Sequence, residues 1–176
     1  MSEMIESFSK LAEREQALAS GDNLFRQGDS VLSLFVVASG ELRLVRPLPH
    51  GPHLVLQRAR AGILLAEASL FAERYHCDAL AIEAARILVI PRKRVNDALA
   101  ADPALARAWA KHLAHELQRT RAQAEILSLR TLIQRLEAWL GLNDNALPPK
   151  GQWRQIASEI GVSPEALYRE LARRRG

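Results

Sequence analysis

A short segment at residues 66–79, AEASLFAERYHCDA, contains side chains that could bind a small ligand or a metal. It holds a carboxylate, a guanidinium, an imidazole and the only thiol of the chain, which belong to Glu67, Arg74, His76 and Cys77. A Cys and a His can both ligate haem iron or another metal, whereas a Glu and an Arg can together hold a small anionic ligand. The choice between these chemistries depends on the elements that position the segment.

The composition is that of a globular chain with a buried core. Of 176 residues, 48% are apolar and 25% are charged, which favours two small units over one large unit. A single cysteine cannot form an internal disulfide, so we expect a reducing compartment, the cytoplasm. The polar N-terminus argues against a signal peptide, and no apolar run approaches the ~18 residues of a membrane span. No membrane partner is expected.

Positive charge is concentrated at the C-terminal end. The formal net charge is +4, and residues 150–176 contain 6 Lys or Arg against 3 Asp or Glu, whereas residues 1–101 contain 12 of each. Such a segment can be a solvated face. A basic terminal unit on a neutral body also suits a protein that binds the phosphate backbone of a nucleic acid.

The first half of the chain has the pattern of short β-strands. Residues 2–20 show a loose helical periodicity, but from Gly21 to Pro91 apolar runs alternate with turn residues. The runs are LFVVAS, ELRLVR, HLVLQRA, ALAIEA and RILVIP. Because each short strand must bury one face against another, we expect a compact antiparallel sandwich or barrel.

After Pro91 the pattern becomes helical. Asp102 can cap and Pro103 can start a long helix. A helix of about 27 residues spans roughly 40 Å, more than a small β-domain needs for its own cover, so we expect a second helix to pack on it. Its narrow stripe favours self-association over an intramolecular core helix. The stripe residues are Leu105, Trp109, Leu113, Leu117, Thr120, Ala124 and Leu127.

The last unit has the pattern of a helix-turn-helix. A helical run ends at Gly141, and the proline-rich NDNALPPKG precedes QWRQIASEIGVSPEALYRELAR. There Gly161 breaks a first helix, and Ser163 with Pro164 opens a second. The alternative is a helical hairpin that only covers a core. The second helix is expected to expose side chains that suit the DNA major groove, Glu165, Tyr168, Arg169 and Arg173.

Two segments resemble one known family. Residues 21–44, GDNLFRQGDSVLSLFVVASGELRL, resemble the opening strands of the cyclic-AMP receptor protein and fumarate-nitrate regulator (CRP/FNR) superfamily of bacterial transcription factors. IASEIGVSPEALYREL resembles its DNA-reading motif. The resemblance extends over about residues 20–173. It implies an α+β fold with an antiparallel, jelly-roll-like β-roll sensory domain, a long dimerisation helix and a small helical helix-turn-helix domain.

The resemblance also implies a domain organisation and partners. We expect the N-terminal helix and β-roll at residues 1–101, the dimerisation helix at 102–128 and the DNA-binding domain at 129–176, without the family's β-hairpin wing. The expected partners are a second copy of the chain, DNA with a palindromic site, RNA polymerase and a small effector. Without a wing, either the C-terminal arginines make the backbone contacts or some DNA affinity is lost.

Individual DNA-reading positions follow from the same resemblance. Glu165 and Arg169 match the Glu and Arg with which the family reads base edges, and Ser163 matches the residue that opens the reading helix. Pro164 departs, because many members carry Arg or Lys there. The operator sequence is therefore not carried over from the family.

In members that bind cyclic nucleotides, the opening segment is the phosphate cassette. Its Gly lets backbone N–H groups approach the phosphate, its Glu accepts from the ribose hydroxyl, and its Arg pairs with the phosphate. Here Ala66 replaces Gly, Glu67 is kept, His76 stands in place of Arg, and Cys77 stands in place of Ser or Thr. A neutral His cannot supply the Arg fork, so binding of cyclic AMP is not expected.

A different effector remains one interpretation of this segment. A small anionic or neutral molecule could be held by Glu67, Arg74 and His76. On the long helix, Thr120 matches the position that reaches the base in cyclic-AMP binders, and Arg121 stands in place of Ser. The candidate effector pocket therefore comprises Glu67, Arg74, His76, Cys77, Thr120 and Arg121.

Two other interpretations of the His76 and Cys77 pair are open. The pair can be packing residues of an altered pocket, since a buried Cys is common and a lone His is usually structural. Some relatives in the superfamily sense gas or redox through haem, and His112 or His115 could complete such a ligand set. No CxxC or HxxxH spacing supports haem or another metal. We expect neither a bound cofactor nor a metal.

Enzymatic activity is not expected. His50 and His53 lack the His-x-His…Glu spacing of metal-binding jelly rolls, and no nucleophile triad or Gly-rich phosphate loop is evident. The competing class is a protein-interaction module, a β-roll dimer whose terminal unit binds a partner protein. An exposed apolar patch on the second helix would favour that class, whereas Arg169 and Arg173 favour DNA.

Overall fold

The computed structural model describes residues 3–46 and 54–174. Its helices are α1 (Glu3–Lys10), α2 (Arg92–Ala101), α3 (Pro103–Ser128), α4 (Leu132–Gly141), α5 (Trp153–Glu159) and α6 (Pro164–Arg173). Its strands are β1 (Arg14–Leu18), β2 (Asn23–Phe25), β3 (Ser33–Ser39), β4 (Glu41–Arg46), β5 (Leu54–Arg60), β6 (Leu64–Leu65), β7 (Asp78–Ala81) and β8 (Ala85–Pro91). Residues 1–109 and 110–176 form two compact units. Every helix in the described ranges is too short or too polar to cross a membrane.

The first unit contains two antiparallel four-stranded sheets. One has the order β1-β8-β3-β6 and the other β2-β7-β4-β5. Alternate side chains of both sheets enter one buried cluster, as period-2 strands with one covered face require. This arrangement confirms the predicted antiparallel β-roll.

Three aromatic rings occupy one part of that core. The ring of Phe25 stacks on Tyr75, with centroids 4.0 Å apart, and lies 5.6 Å from Phe35. The Tyr75 hydroxyl donates a 2.7 Å hydrogen bond to the Ser33 carbonyl, so this polar group is satisfied although its ring is buried. The cluster fixes the loop before β7 to β2 and β3, and that loop contains residues 66–77 of the 66–79 segment.

The strand predictions were right for the five apolar runs, which form β3, β4, β5, β7 and β8. They missed β1, β2 and β6. The helical periodicity of residues 2–20 holds for Glu3–Lys10 but is wrong for Arg14–Leu18, which pairs with β8 in the register Arg14 to Val89. That pairing joins distant parts of the chain, so local periodicity could not indicate it.

The long helix begins as predicted. The Asp102 carboxylate accepts hydrogen bonds from the backbone N–H groups of Ala104, at 2.8 Å, and Leu105, at 3.2 Å. These bonds satisfy donors that the first turn leaves unpaired. Helix α3 continues to Ser128, close to the predicted end.

The second unit has a helical core of its own. Helix α4 begins at a capping box in which Thr131 accepts from the Gln134 N–H while the Gln134 side chain accepts from the Thr131 N–H. Apolar faces of α4, α5 and α6 then close on one cluster with the end of α3. Its buried residues are Ile126, Leu136, Trp139, Trp153, Ile156, Ala157, Ile160, Leu167 and Leu171.

Candidate functional site

Helices α5 and α6 form the helix-turn-helix. The Ser163 hydroxyl accepts a 3.2 Å hydrogen bond from the Ala166 N–H, and Pro164 occupies the first helical position, so the second helix starts where the sequence predicted. Gly161 in the turn has φ +65°, a conformation that L side chains adopt rarely. The two helices thus meet at a fixed, tight turn.

The outer face of α6 presents a carboxylate and a guanidinium one turn apart. Glu165 and Arg169 are both exposed, and their spacing of four residues places them on the same side of the helix. Arg169 can donate a pair of hydrogen bonds to guanine, and Glu165 can accept from the amino group of cytosine. This face has the chemistry of base-edge recognition.

Tyr168 departs from the expectation of an exposed side chain. It is half-buried and packs against the core of the second unit, with its ring 5.4 Å from that of Trp153. Sequence periodicity placed it beside Arg169 on the outer face, but the bulky Trp153 on α5 covers it. The base-reading candidates on α6 that are exposed are therefore Glu165, Arg169 and Arg173.

Arg173 and its neighbour Arg174 are engaged by one carboxylate. Arg173 donates from Nε and Nη2 to the two oxygens of Glu170, at 3.0 Å each, and Arg174 Nε donates to Glu170 Oε1 at 2.9 Å. Arg174 also reaches Glu137 on α4, at 3.3 Å. The hydrogen bonds from Arg173 and Arg174 hold the pKa of Glu170 at about 2. Arg173 and Arg174 are thus paired with carboxylates of their own unit.

In the cassette segment, the backbone conformation differs from what its sequence favours. Ala66 has φ 68° and ψ 14°, the left-handed region normally occupied by glycine. A single 3₁₀ turn follows at Glu67–Ser69, and the Leu70 N–H donates to the Glu67 carbonyl at 3.2 Å. The turn keeps a glycine-like geometry although the methyl group of Ala66 is present.

Arg74 is directed away from the cassette turn. It is exposed, and its Nη1 donates a 2.7 Å hydrogen bond to the carbonyl of Gly28, while its backbone forms an isolated bridge with Ser30. The sequence left the direction of Arg74 open. In the structure its guanidinium holds the turn before β3.

His76 and Cys77 point to different environments. His76 is exposed, and its Nδ1 lies 3.2 Å from the Ser69 hydroxyl. Cys77 is 1% exposed, within the core cluster, where burial raises the pKa of its thiol to about 11. A neutral buried thiol is a poor nucleophile and a poor metal ligand. Both residues lie in the bend just before β7, where Tyr75 and Cys77 enter the core and His76 between them faces solvent.

The two pocket residues predicted on α3 lie in the second unit. Thr120 and Arg121 are both exposed there, and the Thr120 hydroxyl donates to the Glu116 carbonyl at 2.8 Å. His112 on the same helix is half-buried, and His115 is exposed. In the described residues, no group of three or more His, Cys, Asp or Glu side chains could hold a metal ion. His50 and His53 lie outside the described residues.

The predicted stripe on α3 divides into a covered and an exposed part. Trp109 is buried in the first unit, edge-on to Phe8 with centroids 5.4 Å apart. Leu105 and Leu113 are half-buried, whereas Leu117 is 50% exposed. The remaining members, Thr120, Ala124 and Leu127, are also exposed.

A buried carboxylate that was not among the predicted site residues lies at the start of β4. Glu41 is 9% exposed and accepts from Arg60 Nε at 2.9 Å and from Arg43 Nε at 3.4 Å. Burial alone would raise the pKa of Glu41. The hydrogen bonds and ion pairs with Arg60 and Arg43 lower it by more, so the pKa lies below its ordinary value. The pairing of β4 with β5 places Arg60 directly opposite Glu41. Charged residues of opposite sign on two strands that could pair were the sequence feature that could have indicated this ion pair.

Comparison with known proteins agrees with this architecture. The sequence model of the cyclic nucleotide-binding domain matches residues 15–102. The cyclic AMP receptor protein of Thermus thermophilus is 31% identical over 155 residues, which cover 86% of this chain and 72% of that protein. The chain belongs to the CRP/FNR superfamily of transcription regulators. Within the CRP/FNR superfamily, transcriptional activator protein FnrA of Stutzerimonas stutzeri is 24% identical, covering 96% of this chain and 73% of its own.

The fold is also that of solved CRP/FNR structures. FixK2 from Bradyrhizobium japonicum superposes with a TM-score of 0.70 at 19% identity, covering 91% of this chain and 83% of FixK2. At this identity the likeness concerns the fold alone. The CRP/FNR relatives are regulators of transcription, which supports DNA as a partner of this chain.

Proposed function

We propose that this CRP/FNR regulator acts as a homodimer that reads a palindromic DNA site with α6. The observation that carries the proposal is the outer face of α6, where Glu165 and Arg169 are exposed one turn apart beyond a capped helix start. Arg169 donates to guanine O6 and N7, and Glu165 accepts from cytosine N4. Each such base contact contributes about 1–3 kcal/mol of discrimination.

The charge and polarity of α6 support DNA over a partner protein. Its outward residues include Glu165, Arg169 and Arg173, and its large apolar residues Leu167 and Leu171 are buried in the unit's own core. A protein-interaction helix would present apolar side chains on the outer face. The outer face of α6 therefore fits DNA better than it fits a partner protein.

Dimerisation along α3 is the second part of the proposal. Leu117 is half-exposed on the predicted stripe, and Ala124, two turns further along, is exposed and small enough for a second helix to approach. A parallel pair of such helices gives the molecule a two-fold axis. Two reading heads then contact half-sites about 34 Å apart, or a multiple of that distance.

The β-roll does not respond to cyclic AMP in this proposal. Arg74 is committed to the Gly28 carbonyl, and Cys77 is buried where the family has a hydroxyl that can face the phosphate. The roll either takes a different small effector or acts without one. We propose that Cys77 does not ligate a haem, because its thiol is buried in the core and burial raises its pKa to about 11.

The test measures binding to labelled genomic DNA fragments at several salt concentrations. The wild type should bind with an affinity that falls steeply with salt, because phosphate contacts release counterions. Arg169→Ala should weaken binding at least ~10-fold. Lys93→Ala is the matched control, since it removes one positive charge from an exposed residue on α2, in the first unit. Equal binding by wild type and Arg169→Ala, with no salt dependence, contradicts the proposal.

If DNA is bound, the site of action is the cytoplasm and RNA polymerase is the expected protein partner.

A further inference from the structure

Arg135 connects three segments of the second unit. From α4 its Nε donates to the Leu129 carbonyl at 2.8 Å and its Nη2 to the Leu127 carbonyl at 3.2 Å. Its Nη1 donates to the carbonyls of Ile160 and Gly161, at 3.2 Å each. One half-buried guanidinium thus bonds the end of α3 and the turn of the helix-turn-helix at the same time.

The chemistry of these acceptors suits an arginine. Leu127 lies in the last turn of α3 and Ile160 directly follows α5. Carbonyls at a helix C-terminus have no partner within the helix, and they carry the negative end of the helix dipole. A guanidinium offers five donors in one rigid plane and stays charged at every relevant pH. A lysine ammonium in the same place is a single point of charge and cannot bond four carbonyls that lie on two sides.

A second observation shows how closely the turn approaches α3. A Cβ placed on Gly161 would lie 2.7 Å from Leu127 Cδ2 and 3.2 Å from Arg135 Nη1. These distances are below ordinary van der Waals contact, so the absence of a side chain at Gly161 lets the turn sit against the end of α3. The turn is therefore in direct contact with α3 as well as bonded to it through Arg135.

We infer that Arg135 is a positioning residue for DNA reading. It fixes the turn, and with it α6, to the end of the proposed dimerisation helix, so that the two reading heads of a dimer keep one separation. Without it, the helix-turn-helix keeps its core of Leu136, Ile156 and Leu167, in which Ile126 of α3 also packs. The turn then loses its hydrogen-bonded connection to the end of α3, and its orientation to α3 becomes more variable. The role in DNA reading rests on the proposed function, whereas the connection to α3 does not.

The connection can be measured without DNA. Nitroxide labels are attached at Gln123→Cys on α3 and Ala172→Cys on α6, both exposed positions of the second unit. Labelled chains are diluted with unlabelled wild type, so that electron–electron resonance reports distances within one protomer. Cys77 labels slowly because it is buried and its pKa is raised to about 11, and a chain that carries only Cys77 gives the background.

The distance distribution should be narrow with Arg135 present and at least twofold broader with Arg135→Met. Arg135→Lys, which keeps the charge but loses the fork, should broaden it as well. Arg130→Met is the matched control, because Arg130 is an exposed arginine between α3 and α4. An unchanged distribution in Arg135→Met overturns the inference, whatever the DNA measurements give. Far-ultraviolet circular dichroism and Trp fluorescence check that the variants keep their helices and core.

The consequence for DNA reading is measured on a site that the wild type selects from a random pool. Arg135→Met should bind one isolated half-site within about threefold of wild type, but the complete palindrome at least tenfold more weakly. It should also tolerate half-sites moved apart by one base pair, which wild type rejects. Equal loss on the half-site and the palindrome, or no loss on either, contradicts the positioning role. A wild type that selects no site counts against the proposed function and leaves the distance measurement to decide the connection.

Discussion

The guanidinium of Arg74 donates a 2.7 Å hydrogen bond to the carbonyl oxygen of Gly28, so the one arginine of the cassette segment is occupied by the backbone of another turn. In the same segment the family's phosphate-pairing Arg is replaced by His76, which is exposed and lies beside Ser69. An anionic ligand at this turn would therefore find neither the fork of Arg74 nor an arginine at position 76. From this relationship we predict that the cyclic nucleotide-binding fold of this chain does not bind a cyclic nucleotide.

Cyclic AMP is accordingly expected to leave the protein unchanged. Isothermal titration calorimetry with cyclic AMP up to millimolar concentration should give no saturable heat, and the nucleotide should not alter the affinity for DNA. Arg74→Ala should lower the free energy of unfolding by about 1 kcal/mol, the usual loss for one hydrogen bond, irrespective of the nucleotide. Saturable heat from wild type, lost in Arg74→Ala, would show that Arg74 binds the ligand instead.

The thiol of Cys77 should be unreactive in the folded protein. Burial raises its pKa to about 11, so little thiolate exists at pH 8 and the sulfur is shielded from reagents. Reaction with Ellman's reagent should be slow in buffer and fast in denaturing urea. Complete reaction of the native protein within the mixing time would mean that the segment opens, and would revive a ligand or redox role for Cys77.

Gly40 should be far less replaceable than Gly21. Both have positive φ, +86° and +91°, but a Cβ at Gly40 would lie 2.5 Å from the Ala84 carbonyl oxygen, whereas Gly21 has open space around it. Gly21→Ala should destabilise by about 1–2 kcal/mol from backbone strain alone. Gly40→Ala should lose a further ~1–3 kcal/mol through the clash. Chemical denaturation compares the two variants, and equal losses would contradict the close approach of Gly40, between β3 and β4, to the turn before β8.

Glu170 should limit the affinity for DNA. Its carboxylate engages Arg173 and Arg174, and Glu170→Gln would make both guanidinium groups available to phosphates. We expect tighter binding with a steeper dependence on salt, because more counterions are released. Asp97→Asn on α2 is the control for loss of one negative charge remote in sequence from α6. Unchanged affinity and salt dependence in Glu170→Gln would argue that the two arginines lie away from DNA.

The same ion pair predicts a pH dependence. The folded-state pKa of Glu170 is about 2, below its ordinary value of 4.5, because Arg173 and Arg174 bond the ionised form. The stability that the pair contributes is present above pH 4.5 and is lost as the pH falls toward 2. Acid titration of the Trp fluorescence should therefore show a smaller loss of stability between these pH values in Glu170→Gln than in wild type. The same loss in both proteins would contradict the assignment.

Local signals made the helical half of the fold predictable. Asp102 before Pro103, and Ser163 before Pro164, determine helix starts through bonds within three residues, and the structure has both. Strand β1 was missed because Arg14–Leu18 is polar and is held by its pairing with β8, more than 60 positions further along the chain. Strands held by distant partners leave little trace in local periodicity.

The candidate site was predictable to a similar degree. Exposure of Glu165 and Arg169 follows from the helical period of α6, whereas the covering of Tyr168 depends on Trp153 in another helix. The hydrogen bonds of Arg135 could not be predicted from the sequence, because their acceptors are backbone carbonyls that any residue supplies. The loop geometry likewise decides that Arg74 bonds the Gly28 carbonyl while Cys77 packs in the core, and the sequence did not predict that geometry.

Selection of DNA sites from a random pool by the wild-type protein tests the central claim most directly. The enriched sequence should be two-fold symmetric, with half-site centres about 34 Å apart or a multiple of that. Arg169→Ala should lose the preference at one position in each half-site while Lys93→Ala keeps it. A pool with no enriched sequence, or one whose enriched sequence is identical for wild type and Arg169→Ala, would contradict the account.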